Sequence, residues 1–231
     1  MLAASENTKR RDIWVVIAAF NEANVIRDVV TEVAAAGWSV VVVDDGSRDD
    51  TAAQARVFGA NVLRHAINVG QGAALQTGID YAIRHGARAI VTFDADGQHT
   101  ASDIPSLIDA LDAGADIVLG SRFLGADVIG ASRRRKAMLR TAVVMSNRMS
   151  GLKLTDAHCG LRAFRADVAP KLRITQDRMA HASELLHKIK VSRLHVVEVP
   201  VTVRYTEHSR AKGQTGLHAV RILFDYFFRA S

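Results

Sequence analysis

Asp94 and Asp96 stand one residue apart, and Gly97, Gln98 and His99 follow directly. Alternate residues of an extended chain point the same way, so the two carboxylates can converge on one ligand. Gly97 permits a turn that brings Gln98 and His99 back toward them. Two carboxylates and an amide oxygen suit a hard divalent cation such as Mg²⁺ or Mn²⁺, which keeps places for water and phosphate oxygens. Asp and Gly are also common in polar turns that bind nothing, so the rest of the chain has to discriminate.

The apolar run Ala89–Phe93 leads into this stretch and reads as a buried strand. Similar strands are expected at Ile13–Ala19, Val40–Val43, Asn61–Arg64 and Asp116–Leu119. Helices alternate with them: Glu22–Ala36 capped by Asn21, about Asp50–Phe58, Asn68-Val-Gly-Gln-Gly72 onward to Gly86, and one from Ser102 to Ala113. That alternation predicts an α/β fold, a mostly parallel Rossmann-like sheet with helices on both faces in a single domain. Ligands of such sheets bind beyond the carboxyl ends of the strands. Phe20-Asn21-Glu22, Asp44-Asp45-Gly46-Ser47 and Asp94-Ala95-Asp96 each follow a strand, so all three should line one edge.

The second half differs. A loop runs from Gly125 to Gly130, and the basic run Ser132-Arg-Arg-Arg-Lys136 opens a helix continuing to Met149. Such a run can be a solvated helix start, but cations at a helix amino end are unfavourable unless an anion such as a phosphate answers them. A polar turn, Thr155–Gly160, precedes Leu161–Phe164; a helix at Ala180–Ile189 carries Glu184; a last strand is expected at Val196–Val203, edged by Pro200. The chain divides into a polar tail (1–12), the domain (13–205), and a lid loop with a C-terminal amphipathic helix (206–231).

Composition narrows the partners. The 231 residues are 48% hydrophobic, enough for a sizeable core, and the single Cys159 excludes an internal disulfide. Residues 1–12 do not read as a secretory leader, and no run approaches the ~20 apolar residues of a membrane span. A net charge of +6 favours anionic partners. Nucleic acid is not expected, because the basic residues interleave with acids and only 6% of residues are aromatic. His65, His85, His181, His187 and His195 share no ligand spacing and read as surface or packing residues. Asn68-Val-Gly-Gln-Gly72 lacks the spacing and downstream acid of a dinucleotide fingerprint.

Taken in order, Val16-Ile-Ala-Ala-Phe-Asn-Glu22, Val41-Val-Val-Asp-Asp-Gly-Ser47, Asn68-x-Gly-x-Gly72, Asp94-Ala-Asp-Gly-Gln-His99, Gly120-Ser-Arg-Phe123 and Asp156-x-x-x-Gly-Leu-Arg162 resemble the inverting glycosyltransferases of family 2. The likeness is greatest to the dolichyl- and polyprenyl-phosphate sugar synthases and covers residues 13 to 215. Ala18 and Cys159 depart from the pattern, which often has proline and serine there, but neither change removes a charge.

The resemblance implies a GT-A fold and a Mg²⁺ or Mn²⁺ held by Asp96 and Gln98, with Asp94 reaching it through water or contacting the sugar and ribose. It places the nucleotide sugar, a GDP- or UDP-hexose, against Ala19, Asn21, Glu22, Asp45, Gly46, Ser47, Asn68, Gly72, Asp94, Ala95 and Asp96, with Asp45 reading the base. Arg122, Arg133 and Arg135 would hold an acceptor phosphate, and Arg210 and Lys212 would close over the diphosphate. Asp156 is the first candidate base and Glu184 the second, although either could instead orient the arginines. The implied reaction moves a hexose to a polyprenyl phosphate at the cytoplasmic membrane face, the protein meeting the membrane surface or a membrane-embedded partner subunit peripherally. Transfer to a saccharide hydroxyl, nucleotidyl transfer and non-catalytic lipid or nucleic-acid binding are the competing readings.

Overall fold

The computed structural model describes residues 10–125, 128–129, 133–178 and 180–204. Its centre is a seven-stranded sheet in the order β3-β2-β1-β4-β7-β5-β8. The strands are β1 (Ile13–Ala19), β2 (Ser39–Asp44), β3 (Asn61–Arg64), β4 (Ala89–Asp94), β5 (Ile117–Ser121), β7 (Arg162–Arg165) and β8 (Val196–Pro200). Val15, Val16, Ile17, Val41, Val42, Val43, Ile90 and Val91 are all fully buried. That is why these strands read as unbroken apolar runs and not as alternation: both faces are covered.

Helices α1 (Ile26–Ala35), α2 (Thr51–Ala55), α3 (Gln71–Arg84), α4 (Ile104–Asp112), α5 (Arg133–Ser150) and α6 (His181–Val191) complete the layers. One core joins Ile26, Val30 and Val33 of α1 and Leu107 of α4 to one sheet face. The other joins Leu75 and Ile79 of α3 and Leu185 and Ile189 of α6 to the opposite face.

β7 is antiparallel to both neighbours, β4 and β5. An antiparallel strand begins where its parallel neighbours end, so Arg162 enters at the carboxyl edge of β4, opposite Thr92. The expected last strand is in fact two. β8 pairs with β5, whereas β9 (Val203–Arg204) pairs with β6 (Val128–Ile129) in a separate two-stranded sheet.

Two expected caps are absent. α1 starts at Ile26, not Glu22, and Asn21 adopts φ 55°, its side-chain oxygen accepting the Arg48 N–H at 2.9 Å. Ser102 lies in a 3-10 turn, Ala101–Asp103, before α4. There the Glu32 carboxylate of α1 accepts the Ala101 N–H (2.7 Å) and the Thr100 hydroxyl (2.9 Å). A charged acceptor from a neighbouring helix replaces the local one. Among the described residues no helix is long and apolar enough to cross a membrane. Arg210, Lys212, the lid loop and the C-terminal helix lie outside the described residues.

Candidate active site

β4 ends at Asp94, and Gly97 (φ 73°) turns the chain so that the Gln98 N–H donates to Asp96 Oδ1 at 3.0 Å. His99 comes back to donate from Nε2 to Asp94 Oδ2 at 3.1 Å. Asp94 is held by a neighbour as well: a Cβ on Gly160 would lie 2.1 Å from Asp94 Oδ2. Only glycine therefore fits beside that carboxylate. Burial works to raise the Asp94 pKa, but the His99 hydrogen bond and charge outweigh it and hold the group low. Asp96 goes the other way. Burial, then repulsion from Asp94, pushes it up to about 6, with Glu22 adding a smaller push. Asp94 and, more weakly, Glu22 thus press on Asp96, a crowding of negative charge that a hard cation would relieve. Among the described residues no three His, Cys, Asp or Glu side chains converge as a metal site.

The ends of β1 and β2 are stitched together. The Asp45 N–H donates to Ala19 O, the Asn21 N–H to the Ser47 hydroxyl, and the Glu22 N–H to the Thr51 hydroxyl. The Asp45 carboxylate accepts the Val69 and Gly70 N–H groups and His65 Nδ1–H, at 3.0, 2.7 and 2.7 Å. Asn68 donates to the Asp45 carbonyl at 3.3 Å. Gly46 lies so close to Ile67 and Asn68 that a Cβ would come 2.5 Å from the Ile67 carbonyl carbon. Asp45, Gly46 and Asn68 thus shape one loop. His65, read from the sequence as a surface or packing residue, bridges Asp45 and the Thr77 hydroxyl, which lies 3.0 Å from Nε2.

The glycines at the start of α3, Gly70 and Gly72, serve a close approach. Gly72 N–H donates to the Asp177 carbonyl at 2.7 Å, and a Cβ on Gly72 would lie 2.0 Å from Gln176 O. Glu184 holds that segment in place. Its carboxylate accepts the Thr175 and Gln176 N–H groups and pairs with Lys188 at 2.6 Å.

Arg122 and Asp156, 34 residues apart, form a buried two-pronged pair: Nε to Oδ2 at 2.6 Å and Nη2 to Oδ1 at 2.9 Å. Burial opposes the charge on Asp156, but the Arg122 hydrogen bond and charge keep its carboxyl below the usual range. Glu198 of β8, absent from the sequence-based candidates, anchors this turn by accepting the Thr155 and Asp156 N–H groups. From the other side, His158 Nε2 meets the Ser146 hydroxyl of α5 at 2.9 Å. Arg133 and Arg135 stand at the start of α5.

The model of glycosyl transferase family 2 matches residues 14–173. The chain is 33% identical over 200 residues to the polyprenol monophosphomannose synthase of Mycolicibacterium smegmatis, covering 81% of this chain and 76% of that protein. It is 31% identical over 245 residues to the UDP-N-acetylglucosamine–dolichyl-phosphate N-acetylglucosaminyltransferase of Methanococcus voltae, covering 94% of each. The glucosyl-3-phosphoglycerate synthase of Mycobacterium tuberculosis, solved with Mn²⁺, uridine diphosphate and glucosyl-3-phosphoglycerate, superposes with a TM-score of 0.69. That likeness covers 96% of this chain and 81% of that one, and at 20% identity it speaks for the fold.

Proposed function

The chain belongs to glycosyl transferase family 2, and from that premise we propose that it moves a hexose from a nucleotide sugar to a polyprenyl phosphate. Relatives named for polyprenol and dolichyl phosphate acceptors support that class. The observation that carries the reading is the Arg122–Asp156 pair. A hydroxyl acceptor must lose a proton as it attacks, which calls for a base. Asp156 is poorly suited to that task, being buried, held low in pKa, and engaged through both oxygens by Arg122. A phosphate monoester, with a second pKa of about 6, arrives already ionised. It needs cations and positioning, and Asp156 fixes the plane of the Arg122 guanidinium.

An acceptor phosphate oxygen attacks the anomeric carbon opposite the leaving diphosphate, so configuration inverts. Asp96 and Gln98, with Asp94 beside them, would hold Mg²⁺ or Mn²⁺, which when bound neutralises the departing diphosphate. The burial of Asp96 and its repulsion by Asp94, which together raise its pKa, support this cation assignment. Asp45 and the loop it holds, with Asn21 and Glu22, would form the nucleoside side of the donor site.

A lipid acceptor places the protein peripherally at the cytoplasmic membrane face, on the lipid surface or on a membrane-embedded partner subunit. Exposed Val144 and Met145 on α5, beside exposed Arg140 and Arg148, support such a contact. The test is product identification. The protein with Mn²⁺ is given GDP-mannose, UDP-glucose or UDP-N-acetylglucosamine and undecaprenyl phosphate or free saccharides. A lipid-linked sugar phosphate and a nucleoside diphosphate are expected; pyrophosphate release, or transfer to saccharides alone, would sink the proposal.

A further inference from the structure

Arg162 is 7% exposed, yet its only hydrogen bond among the described residues runs from Nε to the Cys159 carbonyl at 2.9 Å. Its two terminal nitrogens have no partner there. Neither is among the fully buried unpartnered atoms, so both donors are open to a ligand that enters the site. Their location is set by the sheet. Arg162 opposes Thr92 across the β4–β7 ladder, and cross-strand partners share a face. Asp94, two residues beyond Thr92, lies on that face as well. His181 opens α6, whose Leu185 and Ile189 pack in the same layer as Ile90 and Phe164. Each of these three groups also lies in the electrostatic field of the other two.

The unused valences are complementary. His181 is 5% exposed, and its Nδ1 donates to the Arg178 carbonyl at 2.8 Å. Burial, then repulsion from Arg162, lowers its pKa. The neutral ring therefore leaves Nε2 as an acceptor. Asp94 uses Oδ2 for His99, while no hydrogen bond to Oδ1 occurs among the described residues. The cluster thus offers a fork of donors together with two acceptors. A phosphoryl group, which only accepts, would meet repulsion from Asp94. Sugar hydroxyls both donate and accept, and they match all three partners. Asp94 and Asp156 both favour the Arg162 charge, although its burial outweighs them.

We propose that Arg162, His181 and Asp94 form the pocket that grips the hydroxyls of the donor hexose, with Arg162 and His181 setting which sugar is accepted. The assignment rests on the donor being a nucleotide sugar, as argued above. It separates sugar recognition from diphosphate recognition, which falls to Asp96 and its cation.

Calorimetric titration with Mn²⁺ and four probes tests it: UDP, UDP-glucose, GDP and GDP-mannose. The variants are Arg162→Lys, which keeps the charge but loses the fork, and His181→Asn, which keeps a donor for Arg178 but loses Nε2. Arg162→Lys should weaken the preferred nucleotide sugar by roughly 10- to 100-fold, the scale of a hydrogen bond to a charged group, and His181→Asn by roughly 3- to 10-fold, the scale of a neutral one. The matching nucleoside diphosphate should move less than about twofold, and relative turnover of the two sugars should change. Equal weakening of diphosphate and sugar nucleotide would overturn the pocket in favour of a phosphoryl contact. No weakening of either in variants that melt like the parent would overturn it outright. A parent protein that binds no nucleotide sugar overturns the proposed function and this pocket together; a parent that binds while the variants keep its full preference overturns the pocket alone.

Discussion

Asp156→Asn separates a base from an orienting residue. The substitution keeps shape and lets the amide oxygen still accept from Arg122, but it removes the charge facing a buried guanidinium. The side chains are 0% and 10% exposed, so surface screening does little here. Breaking such a pair costs about 3–5 kcal/mol. At about 2–4 °C per kcal/mol for a chain of this size, Tm should fall by roughly 6–20 °C. The sign with pH follows from the depressed pKa of Asp156. Its stabilisation is present above the unfolded value of about 3.9 and is lost as pH falls through the lower folded value. The difference in Tm between parent and variant should therefore be full near pH 7 and shrink in acid. Activity, assayed well below the variant's Tm with saturating polyprenyl phosphate, should fall less than about tenfold. Loss of a general base would cost roughly 10²–10⁴-fold. Arg122→Ala should act on acceptor KM instead, by about 10- to 100-fold, the scale of a hydrogen bond to a charged group. A kcat loss beyond 10²-fold for Asp156→Asn, larger than the Arg122→Ala effect, would refute the argument and restore a hydroxyl acceptor.

Gly160→Ala should abolish metal-dependent turnover, because the new Cβ would sit 2.1 Å from Asp94 Oδ2; unchanged turnover would contradict the contact. Asp96→Asn removes a buried carboxylate that Asp94 and Glu22 repel, so in chelator-treated buffer its Tm should rise while Mn²⁺-dependent donor binding disappears in calorimetry. Glu184→Gln should lower Tm by loosening Thr175 and Gln176, with a kcat loss well short of the roughly 10²-fold of a missing base; a loss beyond that would make Glu184 a base. Binding to anionic vesicles in a flotation assay should weaken with salt and with removal of residues after Gly216; indifference to both would indicate that the tail docks on protein.

The parallel strands and their order of appearance were legible because burial on both sheet faces leaves an unbroken apolar run, a local and periodic signal. The carboxylate-bearing ends were legible for the same reason: once strands are placed, topology puts Asn21, Asp45 and Asp94 on one edge. Caps fared worse. Asn21 and Ser102 have the right chemistry, yet Glu32, distant in sequence, supplies the acceptor at the start of α4, and propensity yields to such tertiary partners.

By itself the sequence determined the sheet, the edge that carries chemistry, and the family resemblance through ordered motifs. Only the tertiary structure decided how those groups are used. The Arg122–Asp156 pair, the Asp45–His65–Thr77 chain and the Glu198 anchor join residues 34, 20 and 42 positions apart or at comparable range. Arg162 is legible as a motif residue, but its place beside Asp94 depends on β7 running antiparallel. Four residues of mixed polarity encode no direction. Strand direction is set by which neighbours bury them, and that is a property of the folded sheet.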